Sequence, residues 1–294
     1  MHTILTNLWG SGWYGREVLR GIQNFDPTRR RWILRTPPQD ASIYGLRGSR
    51  VDGMVILPHD AGHIDRLWRT LGRRVPTVAV ADNWPLKGVP VVCPDDTSIG
   101  RLAAEHLLGL GLKQFASYGY PVGAHSARRQ QAFATRLAKA GLPCEHYRWS
   151  RHHRESAHTV RISPHLVAWL RALPKPIGLF AANDHLAWEL SELCHACELR
   201  IPDDVALIGV DNDTTLCELA WPPLSSVALP AARIGYEAAI LLDRLLSGGP
   251  LPEGPLPISP SGVVARQSTN MLAVADGKVA AALRFVRDHA HEPI

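Results

Sequence analysis

The sequence predicts an α/β protein of two lobes, each a parallel sheet covered by helices, and three observations carry that expectation. Short apolar runs alternate with helix-length amphipathic stretches along nearly the whole chain, which is the pattern of successive βαβ units. The 294 residues suffice for two separate cores, because single hydrophobic cores stop growing at about 250–300 residues. Apolar residues at 46% and charged residues at 20% describe a chain that folds fully, without the low hydrophobicity of disorder.

Taken in order, strands are expected near 3–8, 31–35, 52–57, 76–81, 90–93, 114–119, 177–181, 205–210 and 262–266. Helices are expected near 14–25, 62–72, 97–110, 127–140, 163–173, 184–198 and 231–247. Punctuation supports several of these: Asp95 and Asp96 with Thr97 can cap the helix that carries Leu102, Ala103 and Leu107, and Gly109 and Gly111 then end it. After Ser268 the chain turns small and polar (Thr269, Asn270, Ala273, Asp276, Gly277), as a linker does, before a last amphipathic stretch from Val279 to His289. No repeat with a period of 20–50 residues and no low-complexity segment interrupts this order.

Composition narrows the function classes. No apolar run approaches the roughly 20 residues that cross a bilayer, and the opening Met1–Asn7 lacks a basic segment followed by an apolar one, so the expected setting is cytoplasmic with no membrane partner. Five scattered cysteines, an odd number, argue for reduced thiols rather than a disulfide framework. The net charge of +5 suits a nucleic-acid partner, but the basic residues are dispersed, so charge alone decides nothing.

Three local motifs point less far than their patterns suggest. Gly10-Ser11-Gly12-Trp13-Tyr14-Gly15 is a G-x-G-x-x-G string between a strand and a helix, yet two bulky aromatics occupy the turn where backbone amides would meet a pyrophosphate. Asp40 is also poorly placed as a ribose-binding acid, so a nucleotide-dependent oxidoreductase is a minor alternative. Cys194-His195-Ala196-Cys197 falls in a helical apolar pattern with no second ligand pair at zinc spacing. His152, His153 and His158 lie among Arg151 and Arg154, where a solvated loop is the simpler reading than a metal site. No nucleophile elbow or H-E-x-x-H pattern is present, and neither an enzyme activity, a cofactor nor a metal is expected.

More informative are polar residues at the carboxyl ends of expected strands, the edge where open parallel sheets bind ligands. Asp95 follows Val91–Cys93, Asn183 follows Gly178–Ala181, and Asp211 follows Val205–Val210. Carboxylates and amides match vicinal hydroxyls, and aromatic faces cover the apolar side of a sugar ring, so a neutral polyol fits. As single residues, Asp95 and Asp211 read equally well as caps or turn formers.

The ordered set of segments resembles the periplasmic-binding-protein-like core of the lac and galactose repressor family over nearly residues 1–269. It consists of Val51-Asp52-Gly53-Met54-Val55-Ile56; Asp95-Asp96 with Gly100 and Glu105-His106-Leu107-Leu108; Arg129 with Ala132-Phe133; and Ala182-Asn183-Asp184-His185-Leu186-Ala187. Ile201-Pro202-Asp203-Asp204-Val205 through Asp211-Asn212 and Pro222-Pro223-Leu224-Ser225-Ser226-Val227 complete it. The resemblance implies a type I fold, two Rossmann-like lobes joined by three crossovers, expected near 110, 228–230 and 250–256. The lobes are then 1–110 with 231–250 and 111–229 with 256–269, followed by a linker at 270–278.

The chain departs from that family in starting directly on the first strand, without the amino-terminal helix-turn-helix. Residues 279–294 instead resemble the start of an AraC-type DNA-binding domain, cut within its first helix, with a plain amphipathic tail helix as the alternative. That arrangement is similar to the xylose operon regulator subgroup. It implies a homodimer that binds D-xylose or a related pentose, closes its lobes on the sugar and acts on operator DNA through the attached module. Asp95, Arg129, Asn183 and Asp211 fall at the family's sugar-contacting positions, with Trp9, Tyr14 and Arg16 from the first strand-to-helix turn and Trp221 as a possible cover or hinge-packing residue. A transport-associated sugar-binding protein shares the fold and is the principal rival reading.

Overall fold

Thirteen of the first 36 residues set the pattern for the rest: an apolar strand, β1 (His2–Asn7), a helix, α1 (Gly12–Phe25), and a second strand, β2 (Trp32–Arg35).

 Those thirteen are the apolar side chains described between Met1 and Leu34, and their spacing changes from strand to helix and back. The computed structural model describes residues 1–8, 12–28, 30–36, 50–84, 86–121, 123–149 and 164–271, together with 279, 282, 285 and 286.

The chain divides into two compact units. Unit 1 comprises residues 1–96, 123–125 and 229–261, and unit 2 comprises 97–122, 126–228 and 262–294. In unit 1, β1 pairs in parallel with β2 on one side and with β3 (Gly53–Ile56) on the other, and β3 pairs with β4 (Thr77–Ala79). A parallel bridge from Ala79 to Val91 leads to β5 (Val92–Pro94), which pairs with β11 (Leu256–Ile258). Helix α2 (His63–Leu71) buries Ile64 and Leu67, while α1 and α8 (Ala231–Leu246) cover the sheet with Val18, Ile22, Ile234, Ala238 and Leu242.

Unit 2 is a six-stranded sheet in the order β12-β10-β9-β8-β6-β7. Its members are β6 (Phe115–Tyr118), β7 (Glu145–His146), β8 (Ile177–Ala181), β9 (Val205–Asp211), β10 (Ser225–Ala228) and β12 (Gly262–Val264). Strands β6 and β8 are buried throughout and β9 almost so, as their continuous apolar runs require in a sheet covered on both faces. The helices are α3 (Asp96–Gly109), α4 (Ala124–Ala138), α5 (Pro164–Ala172), α6 (Asp184–Ala196) and α7 (Thr214–Leu219). On α4 the buried positions Ser126, Arg129, Phe133 and Leu137 form one helical stripe, so Arg129 lies on the core-facing side.

Several features differ from the sequence expectation. The first boundary falls between Asp96 and Thr97 rather than near 110, because α3 buries Ile99, Ala103, Ala104 and Leu107 within unit 2. Gly100 permits that packing, since a Cβ there would lie 2.2 Å from the Arg129 carbonyl oxygen. The last boundary falls between Ser261 and Gly262 rather than at 250–256, because β11 pairs with β5 in unit 1. Strand β12 runs antiparallel to β10, a departure from the all-parallel expectation. Of the final stretch, Val279, Ala282, Phe285 and Val286 are helical and exposed, and the rest of 279–294 lies outside the described residues, as does most of the expected linker.

Candidate functional site

The polar groups gather at the carboxyl ends of the parallel strands, and each unit is taken by itself. In unit 2, Asn183 lies two residues beyond β8 and caps α6: its backbone is extended (φ −156°), and its Oδ1 accepts from the Leu186 amide at 2.9 Å. Asp211 ends β9 with a φ of 118°, and Asn212 follows at 59°, so two successive non-glycine residues occupy the left-handed side of backbone space. The Arg129 side chain is 5% exposed; its Nη1 donates to the Ala182 carbonyl at 2.8 Å and lies 3.9 Å from Asp211 Oδ1. Arg129, Asn183 and Asp211, distant in sequence, are thereby placed on one edge of one sheet.

Beneath this edge a buried carboxylate fixes the turn. Asp184 accepts from Ser226 Oγ at 2.6 Å, from the Asp213 amide at 2.8 Å and from Cys217 Sγ at 3.4 Å. Burial pushes its pKa upward against these hydrogen bonds. Gly209 makes room for it, because a Cβ there would come within 2.2 Å of Asp184 Oδ1. Ser226 Oγ in turn accepts from the Asn212 amide at 2.9 Å, so the turn that presents Asp211 is anchored from α6 and β10.

Three further residues of unit 2 escaped the sequence reading. Tyr120, two residues beyond β6, shares a side-chain hydrogen bond with Asn183, and burial raises its pKa. Trp149 donates from Nε1 to the Gly119 carbonyl at 2.6 Å and stacks on Tyr118 with ring centroids 5.6 Å apart. Glu189 on α6 has its pKa pushed up to about 7 by burial; Oε1 lies 3.5 Å from His185 Nδ1, and Oε2 has no hydrogen-bond partner. The signal available for Tyr120 was the aromatic-rich Tyr118-Gly119-Tyr120 at a strand end, whereas Trp149 follows a strand of two residues that no periodicity reveals.

In unit 1, Asp95 follows β5 directly, is half-buried and donates its amide to the Ile258 carbonyl at 2.9 Å. Tyr14 is half-buried on α1, and its hydroxyl donates to the Val80 carbonyl at 2.6 Å, fixing the ring against the sheet. Arg16 is exposed on the same helix, and Trp9 lies outside the described residues. The sequence reading also missed His63, whose Nδ1 accepts from the His59 amide at 3.2 Å and whose Nε2 lies 3.4 Å from Asn7 Nδ2. Burial, reinforced by His59 and Arg66, lowers its pKa to about 4. Trp221, in unit 2, is 74% exposed.

The Cys194–Cys197 segment lies at the end of α6 with Cys194 buried, and all five cysteines are free. Among the described residues no group of three or more His, Cys, Asp or Glu could hold a metal ion, and no helix is long and apolar enough to cross a membrane. His152, His153, His158 and Asp40 lie outside the described residues.

Comparison with known proteins adds three findings. The model of the periplasmic binding protein-like domain matches residues 104–269. The xylose operon regulatory protein of Haemophilus influenzae is 30% identical over 290 residues, covering 94% of this chain and 73% of that protein. Among solved structures, a xylose-binding transcription activator superposes with a TM-score of 0.78 at 24% identity, over 100% of this chain and 76% of the other. A LacI-type regulator from Alkaliphilus metalliredigens complexed with D-xylulofuranose gives 0.72 at 18% identity, over 92% and 99%.

Proposed function

Because this chain belongs to the periplasmic binding protein-like domain family and is homologous to a xylose operon regulator, we propose that it is the effector-binding part of a transcription regulator. Its effector is a small neutral sugar, a pentose of the D-xylose type. The observation that carries this reading is the set Arg129, Asn183 and Asp211 at one sheet edge, with Arg129 almost wholly buried. A buried guanidinium, an amide and a carboxylate supply fixed donors and acceptors for adjacent hydroxyls. Asp95, Tyr14 and the exposed Arg16 are assigned to the ligand from unit 1, Trp9 belongs with them by sequence, and Trp221 is assigned as a cover.

Regulation follows from differential affinity: the sugar shifts the protein toward the conformation that it binds better, and operator DNA binding changes with that population. The acting form is a homodimer in the cytoplasm, and the DNA partner is reached through a helix-turn-helix module of the AraC type. Relatives that are transcription regulators support this reading over an enzymatic one.

A thermal-shift panel of pentoses and hexoses tests the assignment. Sugar at 100 times its dissociation constant stabilises by about 2.7 kcal/mol, and D-xylose is expected to give the largest shift. A flat response to every sugar would remove the reading.

A further inference from the structure

The chain leaving β12 is fastened into unit 2 by a dense set of hydrogen bonds. The Arg266 amide donates to Ser225 Oγ at 2.8 Å, its Nη1 to the Leu224 carbonyl at 2.9 Å and its Nη2 to Asn212 Oδ1 at 2.8 Å. Ser268 Oγ donates to the Leu207 carbonyl at 2.6 Å and accepts from the Ser225 amide at 2.8 Å. The buried Thr269 hydroxyl lies 2.7 Å from Ser225 Oγ and 2.8 Å from His106 Nε2.

One of these bonds differs from the others in what it holds. Asn212 is the second of the two positive-φ residues, and its neighbour Asp211 is the proposed ligand carboxylate. Backbone of this kind persists in non-glycine residues only where the surroundings impose it. Here Ser226 holds the Asn212 amide and Arg266 holds its side chain. The same guanidinium also clamps the Leu224 carbonyl, so a shift of the Asn212 turn is felt directly at Arg266.

We propose that ligand captured at Asp211 is relayed to residues 266–270 through the Asn212–Arg266 hydrogen bond, which makes Arg266 a positioning residue for the ligand as well as the relay to the chain beyond it. The proposal rests on the sugar-binding reading above. Coupling is reciprocal, so whatever restrains residues 266–270 also changes affinity at Asp211.

Amide hydrogen exchange on the 294-residue chain, with and without saturating D-xylose, tests the relay in peptides covering 207–216 and 266–271. Wild type is expected to slow in both. Asn212→Gly keeps the turn, because glycine adopts positive φ freely, but removes the acceptor. It is expected to retain slowing in 207–216, to lose it in 266–271 and to bind about five- to tenfold more weakly. Asn212→Asp, which gives Arg266 a carboxylate partner, is expected to restore both. Arg266→Lys, unable to span Leu224 and Asn212 with one planar fork, is the second variant and should lose slowing in 266–271. Transmission that survives in Asn212→Gly or Arg266→Lys overturns the relay while leaving sugar binding in place. No response in 207–216 of wild type overturns the sugar reading and the relay together.

Discussion

The two units solve the same problem, presenting polar groups at the ends of parallel strands, with different chemistry. Unit 2 builds its edge on a buried cation, Arg129, that faces Asp211 and holds the Ala182 carbonyl, while Asp184 beneath it is tied to Ser226 and the Asp213 amide. Unit 1 uses a neutral imidazole, His63, a phenol already committed to the Val80 carbonyl, and a half-buried carboxylate, Asp95. The difference teaches that unit 2 fixes its edge around a charged pair, so that on the sugar-binding reading its contribution to affinity should be the steeper one, and that the two units carry opposite pH liabilities.

The largest expected effect tests the charge argument. Arg129→Lys keeps the charge but loses the fork that serves the Ala182 carbonyl and faces Asp211; affinity for D-xylose in calorimetry should fall about 100-fold, equivalent to roughly 2.7 kcal/mol. Asp95→Asn should cost less, and equal losses from the two substitutions would erase the contrast between units. Next, Gly100→Ala forces a Cβ against the Arg129 carbonyl oxygen; denaturant unfolding should show a loss of about 2 kcal/mol, with weakened sugar binding because α4 carries Arg129.

The pH liabilities give the smaller effects. Glu189, raised from the usual 4.5 to about 7, holds more protons folded than unfolded between those values, so its stability contribution is full below 4.5 and is lost as pH rises through 7. Glu189→Gln should therefore stabilise the protein at pH 8 by on the order of 1.5 kcal/mol, with the gain vanishing toward pH 4.5 in a thermal series. His63, lowered from 6.5 to about 4, has the reverse sign: its contribution is present above 6.5 and is lost as pH falls toward 4. His63→Asn should flatten the acid limb by on the order of 1 kcal/mol, measured by unfolding at pH 4.5 and pH 7.

The fold was legible where a strand is buried on both faces. Residues 177–182 and 205–210 announce themselves as unbroken apolar runs, and the residues that follow them, Asn183 and Asp211, stand out as polar exceptions. Small or short elements were not legible. Glu145–His146 has two exposed polar residues, and Ser225–Ala228 owes its place to serine hydroxyls with buried partners that no periodicity encodes. The unit boundary at Asp96 was missed because it depends on Gly100 meeting a helix some 30 positions away, a close approach written in three dimensions only. Tyr120 and Trp149 were missed for a related reason: their roles come from hydrogen bonds to Asn183 and Gly119 rather than from a motif.

The consecutive positive-φ residues at the end of β9 also limit how this protein can change. On the sugar-binding reading proposed above, position 211 supplies a carboxylate while holding a φ of 118°, so a β-branched replacement would lose the proposed ligand contact and strain the turn in a single step. Selection for a different effector is thus steered away from that corner and toward neighbours of ordinary backbone conformation such as Asn183, at a φ of −156°, where a replacement costs a helix cap but leaves the main-chain path open.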